Sequence, residues 1–395
     1  MSQRVVVAMS GGVDSSVAAA RLVEQGFDVI GVTLHLWDYP DDGSVRGRCC
    51  APEDIFDARR VADRLGIAHY TYDRRELFER EVVSPFVDAY LSGTTPSPCV
   101  SCNRGVKVRE LLEIADDLGA RFVATGHYAR VDAMREPAAL LRAVDRGKDQ
   151  SYFLHMLPPD VLARLMFPLG ASSKGEVRAE ALRLGLAGAD KGESQELCFV
   201  QQGRYSEFVS ERAPERVRPG LIVDEAGRQL GTHAGIHRFT LGQRKNLGVA
   251  TGERSYVVGV DAESRAVTLG PRERLLASGA RVERASLAPD VVLPLSCDVA
   301  VRYRGQLSRA WVQRSGASGI EIRFELPVQA VVPGQVAVLY DGERVLGGGT
   351  IDAALGFDAT HLDATHLGAT HLGAAPSIDA TPGAGPDPSS LGAPV

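Results

Sequence analysis

The sequence predicts an α/β domain built on a parallel sheet, followed by two small β modules. Three observations carry this. Over roughly the first 200 residues, short apolar runs alternate with amphipathic stretches of helical period, which is how βαβ units read. After about Phe208 that period stops, and β-branched runs separated by turn residues take over. From Gly356 the chain becomes a pentapeptide repeat (DATHL, DATHL, GATHL) and then Ala, Pro, Gly and Ser. A chain of 395 residues accommodates two to three domains. With 44% apolar and 24% charged residues, a wholly disordered, collagen-like or disulfide-scaffold chain is excluded.

The elements follow in order. Arg4–Met9 (RVVVAM) reads as a buried strand, and an SGG turn leads into a helix over Val13–Glu24, closed by Gly26. Asp28–Trp37 is a second strand-like run. A helix over Ala51–Leu65 precedes the strand Ala68–Tyr72, and a helix near Val106–Leu118 precedes Phe122–Thr125. Ligands of such sheets sit at the C-terminal ends of the strands. RAPERVRPG, rich in Pro and Arg, reads as a linker. Beyond it the β-branched runs divide near Pro271–Gly279. The expected domains are therefore 1–208, 209–275 and 276–355, with a tail at 356–395.

The tail contains too little apolar surface to offset its ordering entropy, so disorder is expected there. His361, His366 and His371 could bind metal, but a repeat expansion is the preferred reading. Truncation after Gly356 should leave the melting temperature nearly unchanged; a drop of several degrees would show that the repeat docks on the body.

Net charge is −6, and Asp358, Asp363, Asp379 and Asp387 of the tail leave the body at −2. That neither favours nor excludes a nucleic-acid partner, because a local basic groove is enough. No apolar run reaches the ~18–20 residues of a membrane helix, and the start MSQRVVVAMSGG is too weakly apolar for a signal peptide. A cytoplasmic protein is expected. Its six cysteines are then thiols, metal ligands or catalysts rather than structural disulfides.

The chemistry is concentrated in a few segments. AMSGGVDSS, Ala8 to Ser16, lies between a strand and a helix. Glycines let backbone approach a polyanion, while exposed N–H groups, the helix N-terminus and Ser10, Ser15 and Ser16 donate to it. No Gly-Lys-Ser/Thr follows, so this is not a Walker A loop. SGGVDSS resembles the pyrophosphate-binding loop of N-type ATP pyrophosphatases, which transfer AMP to a substrate oxygen; Asp14 would help hold the metal. Cys99 and Cys102 lie in TPSPCVSCNRGVKV, a Pro-rich loop expected to run into a helix near Val106, and Cys198 lies in ESQELCFV. A thiolate near a helix N-terminus and basic residues, here Arg104, Lys107 and Arg109, is nucleophilic.

With those cysteines the chain resembles the tRNA-specific 2-thiouridylase family. The matching stretches, in the family's order over about residues 4–352, are AMSGGVDSS, CCAPEDIFDARRVADRLGI, TPSPCVSCN, ATGHYAR, GKDQSYFL, ESQELCFV, HRFTLGQRKNLG, VRYRG and VVPGQVAVLYDGERVLGGG. The resemblance implies a parallel-sheet ATP-pyrophosphatase domain (adenine nucleotide alpha hydrolase-like), a central β domain and a C-terminal β-barrel. It implies ATP and Mg2+ as cofactors, and tRNA as substrate at the wobble uridine of Lys, Glu and Gln tRNAs. It also implies a persulfide donor such as a cysteine desulfurase or sulfur-relay protein, and a monomer. Carried over, Ala8, Met9, Ser10, Gly11, Gly12, Val13, Asp14 and Ser15 cradle ATP, and Leu34 and Gly126 line its adenosine side. Cys102 is the nucleophile and Cys198 carries the persulfide. His127, Lys148, Asp149, Gln150, Arg302, Tyr303 and Gln335 contact tRNA. The chemistry fits, since a uracil C2 oxygen is a poor leaving group until adenylation turns it into AMP.

Two residues depart from the family. Many members have Asp where Cys99 stands, and Met is common where Leu34 stands. Cys99, Cys102 and Cys198 could also ligate an iron–sulfur cluster. Adjacent Cys49 and Cys50 make a poor ligand pair for one metal, and Cys297 reads as a small buried strand residue. Two rival functions remain: an ATP-pyrophosphatase amide synthetase, which needs neither Cys102 nor Cys198, and a non-catalytic tRNA-binding or cluster-carrying protein, which needs no intact loop.

Overall fold

The computed structural model describes residues 2–38, 52–186, 197–200, 204–250 and 252–356. Cys49, Cys50 and the repeat tail lie outside the described residues. The chain opens with β1 (Arg4–Ala8), α1 (Val13–Glu24), β2 (Asp28–His35), α2 (Pro52–Leu65) and β3 (Ala68–Asp73). Strand β4 (Phe122–Ala124) and the short strand Leu165–Met166 complete a five-stranded sheet ordered β3-β2-β1-β4-(165–166). Every pairing in it is parallel.

Burial on both faces explains the continuous valines of β1. Val6 shares a cluster with Leu111 and Ile114 of the helix at 108–117 and with Val106 just before it, whereas Val5 and Val7 cluster with Val17, Leu22 and Val61 of α1 and α2. All three valines are fully buried, as expected of a strand with helices on both sides. Gly26, at φ +83°, ends α1 in the left-handed conformation that glycine adopts without a Cβ penalty.

One expectation needs correction. Cys99 and Cys102 are not in a loop before a helix at Val106. The helix starts at Pro98, runs through Cys102, widens into a π-helical turn over Asn103–Lys107 and continues as α-helix over Val108–Asp117. Proline at a first helical position loses no hydrogen bond and carries a preset φ, so TPSPC is a helix start rather than a breaker. A second π-turn, Glu79–Val83, packs nearby, with Glu81 Oε2 3.9 Å from where a Gly105 Cβ would stand. Such turns concentrate at functional sites.

Past the helix Tyr205–Arg212, four strands (220–224, 229–233, 256–261 and 266–270) form a small mixed sheet around Ile222, Val257 and Val267. The last module is a closed barrel. Its six strands run 276–287, 319–329, 308–315, 295–300, 336–341 and 344–356, and the last pairs back onto the first. Inward residues alternate along it, with Ile320, Ile322, Val312 and Leu339 in its core. Cys297 is buried there as expected, and burial pushes its thiol up to about 12.

A hairpin of the first domain, Ala129–Asp132 with Ala139–Arg142, extends the barrel sheet through Leu141 opposite Arg344. Arg142 N donates to Glu343 O at 2.8 Å. The Glu343 carboxylate receives Arg130 at 2.5 Å and Arg146 at 2.6 Å. No helix among the described residues is long and apolar enough to cross a membrane.

Candidate active site

In this strand order the connections diverge between β1 and β4, and the loop after β1 meets the segment after β4 there. Gly11 takes φ +72°, and a Cβ on it would lie 2.1 Å from Asp54 O. Gly11→Ala should therefore cost at least the ~1–2 kcal/mol of a left-handed alanine, plus the clash, and lower the melting temperature; an unchanged melting temperature would contradict this backbone conformation. Ser15 Oγ accepts from Ser10 N at 3.1 Å and donates to Gly12 O at 3.0 Å, closing the loop on itself. Gly126 packs face to face with it: a Cβ there would stand 2.7 Å from Ser15 N. The predicted loop and Gly126 are thus brought together, with Leu34 buried near the end of β2.

Two residues at this loop were missed by the sequence reading. Lys174 Nζ donates to both Asp14 carboxylate oxygens, at 2.7 and 2.8 Å, and Tyr128 OH donates to Asp14 Oδ1 at 2.9 Å. The ammonium also lies 5.7 Å over the Tyr128 ring. Lys174 is the first residue of the helix Lys174–Arg183, after a Ser173/Glu176 capping box. The S-x-x-E signature was readable. A cation at the first helical position opposes the helix dipole, and that mismatch was the available signal that Lys174 faces something else.

The thiols sit on two supports. Cys99 is half-buried and Cys102 buried on the helical turn Pro98–Cys102. Cys198, half-buried, is followed by Phe199, which inserts into an aromatic cluster. Its ring centroid lies 5.1 Å from Phe86, 5.5 Å from Phe208, 5.6 Å from Phe78 and 6.1 Å from Trp37. That anchor fixes the backbone beside the Cys198 sulfur. Of the basic residues expected to lower a thiol pKa, Arg109 is engaged with Glu110 at 3.4 Å and Glu113 at 3.9 Å. Among the described residues no three His, Cys, Asp or Glu side chains converge as a metal-ligand group. Cys99, Cys102 and Cys198 are therefore not gathered as a ligand set for a cluster in this arrangement.

Some of the residues expected at tRNA lie near one another, and Gln335 faces elsewhere. Gln150 N donates to Tyr128 O at 2.8 Å and Gln150 Oε1 accepts from Tyr128 N at 3.0 Å, which ties the 148–150 segment to the residue after His127. Asp149 turns inward, accepting from Arg142 Nε at 2.9 Å and from Ala143 N at 3.0 Å. The Tyr303 ring lies tilted at 43° to Phe153, centroids 4.3 Å apart, and the Arg304 guanidinium lies 5.1 Å from the Tyr303 ring centroid. Burial raises the Tyr303 pKa, and the nearby Asp149 and Cys99 add to this. Gln335 reaches a different neighbour: its Nε2 donates to Thr95 O and Pro96 O, both at 3.0 Å.

His127 Nδ1 lies 2.8 Å from Thr125 Oγ1. Burial, with Lys107 adding to it, pushes the His127 pKa down to about 3, and burial pushes His155 down to about 4. Both rings are neutral at neutral pH, so His127 offers hydrogen bonds rather than charge. Each has a folded pKa below the ordinary 6.5. The unfolded chain therefore takes up protons first, and the stability is full above pH 6.5 and lost as pH falls toward the folded values. The melting temperature should decline from pH 6.5 to 4.5, less steeply in His155→Gln; equal slopes would contradict a buried neutral His155.

Fold and site together define an α/β enzyme with a glycine- and serine-rich loop at the divergence point of its sheet, three thiols on two supports, and a barrel. Known proteins agree. The family model described as tRNA methyl transferase HUP domain matches residues 3–202, the PRC-barrel domain model of that series matches 206–271, and the aminomethyltransferase beta-barrel domain model matches 281–351. The tRNA-specific 2-thiouridylase of Sorangium cellulosum is 60% identical over 89% of this chain and 93% of its own. Those of Roseiflexus castenholzii and Geobacter metallireducens are 45% and 47% identical, over 88% and 89% of this chain and 99% and 98% of theirs. The chain belongs to the tRNA-specific 2-thiouridylase family.

Proposed function

We propose that the chain thiolates the wobble uridine of tRNA (Lys, Glu and Gln) at C2, in three modules at 1–208, 209–275 and 276–355. ATP binds the loop Ala8–Ser15. The uracil C2 oxygen attacks the α-phosphate, pyrophosphate leaves, and the oxygen becomes part of an AMP leaving group. The terminal sulfur of a Cys198 persulfide attacks C2 and AMP departs. The Cys102 thiolate then attacks the Cys198 sulfur, so the Cys198–sulfur bond breaks, sulfur stays on C2 as the thione and a Cys102–Cys198 disulfide remains. An external thiol reduces it. The observation that carries this reading is the loop at the sheet's divergence point, closed by Gly126, with Lys174 held on Asp14.

Asp14, held at this loop, is the carboxylate that would help hold Mg2+ with a nucleotide. Bound there, Mg2+ would offset the charge of the phosphates. Lys174 occupies both Asp14 oxygens; turning to the phosphates, it releases that carboxylate and adds a cation where negative charge builds.

The test is to supply ATP, tRNA and a persulfide donor. The expected products are AMP, pyrophosphate and 2-thiouridine, with AMP release dependent on tRNA. ADP and phosphate, or AMP formed equally well without tRNA, would reject the reading.

A further inference from the structure

The rim loop between the barrel strands 319–329 and 336–341 does more than close a barrel. It grips the peptide that leads into the cysteine helix. Thr95 N donates to Pro333 O at 3.0 Å. The Gln335 amide donates to the next two carbonyls, Thr95 O and Pro96 O, at 3.0 Å each. Gly334, at φ +90°, lies so close that a Cβ would stand 2.8 Å from Thr95 O. The rim loop is itself held, since Gly334 N donates to Ile351 O at 2.8 Å and Ile351 N to Gln335 O at 2.7 Å. Three hydrogen bonds and one glycine contact thus join a barrel rim to a segment about 240 residues earlier, two residues before the helix bearing Cys99 and Cys102 begins.

We propose that Gln335 is a positioning residue for the Cys102 nucleophile, fixing the start of its helix through the Thr95 and Pro96 carbonyls. The geometry gives the amide a task that a bound tRNA does not require. Two backbone acceptors next to a proline helix start have few alternative donors, because Pro96 and Pro98 contribute no N–H of their own. With the amide removed, those carbonyls lose their partners and the first helical turn gains freedom. A displacement of about 1 Å at a nucleophile is enough to slow a reaction by about a hundredfold. The inference rests on the proposed role of Cys102.

The test uses the full chain with Gln335→Met, which keeps the size and loses the donor, and Gln335→Glu, which keeps the size and polarity and loses the donor. Three quantities are read: kcat and KM for thiolation, tRNA affinity by filter binding, and the rate and pH profile of Cys102 alkylation without tRNA. In both variants kcat should fall about tenfold or more, tRNA affinity should stay within about twofold, and Cys102 alkylation should change several-fold. Loss of tRNA affinity with unchanged alkylation would make Gln335 an RNA contact and overturn the proposal. A lower melting temperature with kcat and alkylation unchanged would make it merely structural and overturn it too. Wild-type protein that fails to thiolate tRNA breaks the functional reading instead, while the alkylation comparison still reports on the clamp.

Discussion

Cys102→Ser and Cys198→Ser enzymes should each form no 2-thiouridine under multiple turnover, and they should fail at different points. Cys198→Ser retains the loop and Lys174, so it should still make the tRNA adenylate, but it should never carry a protein persulfide. Cys102→Ser should accept the persulfide on Cys198, seen as one extra sulfur on that peptide by mass spectrometry, and then stall. A hydroxyl is far less nucleophilic than a thiolate toward a disulfide sulfur. Cys99→Ser should retain substantial activity, because its thiol is off the transfer path. Sustained turnover by Cys102→Ser would remove the second-thiol step; loss of activity and of bound iron together in Cys99→Ser would replace the persulfide route with a cluster.

Lys174→Ala should slow tRNA-dependent AMP formation by about a hundredfold or more, the scale of removing one charged stabiliser from a transition state. Asp14→Asn should act on the same step. Because Lys174 and Asp14 share one ion pair, the double variant should fall well short of the product of the single losses. Lys174→Arg keeps the charge but forks it on a longer, planar group, so only partial recovery is expected. Measured as pyrophosphate release before sulfur transfer, an unchanged rate in Lys174→Ala would show that this ammonium serves only to hold Asp14.

Much of this was legible in the residues. A run such as RVVVAM, apolar on successive positions, reads as buried on both faces, and the turn glycines that follow it mark a close backbone approach, which at Gly11 is to the Asp54 backbone. The thiol loop was misread because Pro96 and Pro98 look like helix breakers, whereas the second occupies a position where a helix loses nothing by having proline. The π-turn after Cys102 has no short-range signal. Lys174, Tyr128 and Asp14 are separated by up to 160 positions. Only the strand order brings them together, and no periodicity encodes a meeting of that kind. The resemblance carries Gln335 over as a tRNA contact, and sequence alone gives no view of the Thr95 and Pro96 carbonyls that its amide faces.

The hairpin 129–142 alters what counts as a transplantable part. Six barrel strands are contiguous in sequence, yet the strand 344–356 also pairs with a ribbon encoded about 200 residues upstream. Glu343, at the turn that begins that strand, has both its arginine partners on the far side of the boundary. A chimera that exchanged only residues 276–355 between relatives would inherit a cut seam: an unmatched carboxylate and an orphaned ribbon edge. Recombinants that move the ribbon with the barrel should stay soluble where barrel-only exchanges aggregate. For this chain, the unit that evolution can shuffle intact is discontinuous.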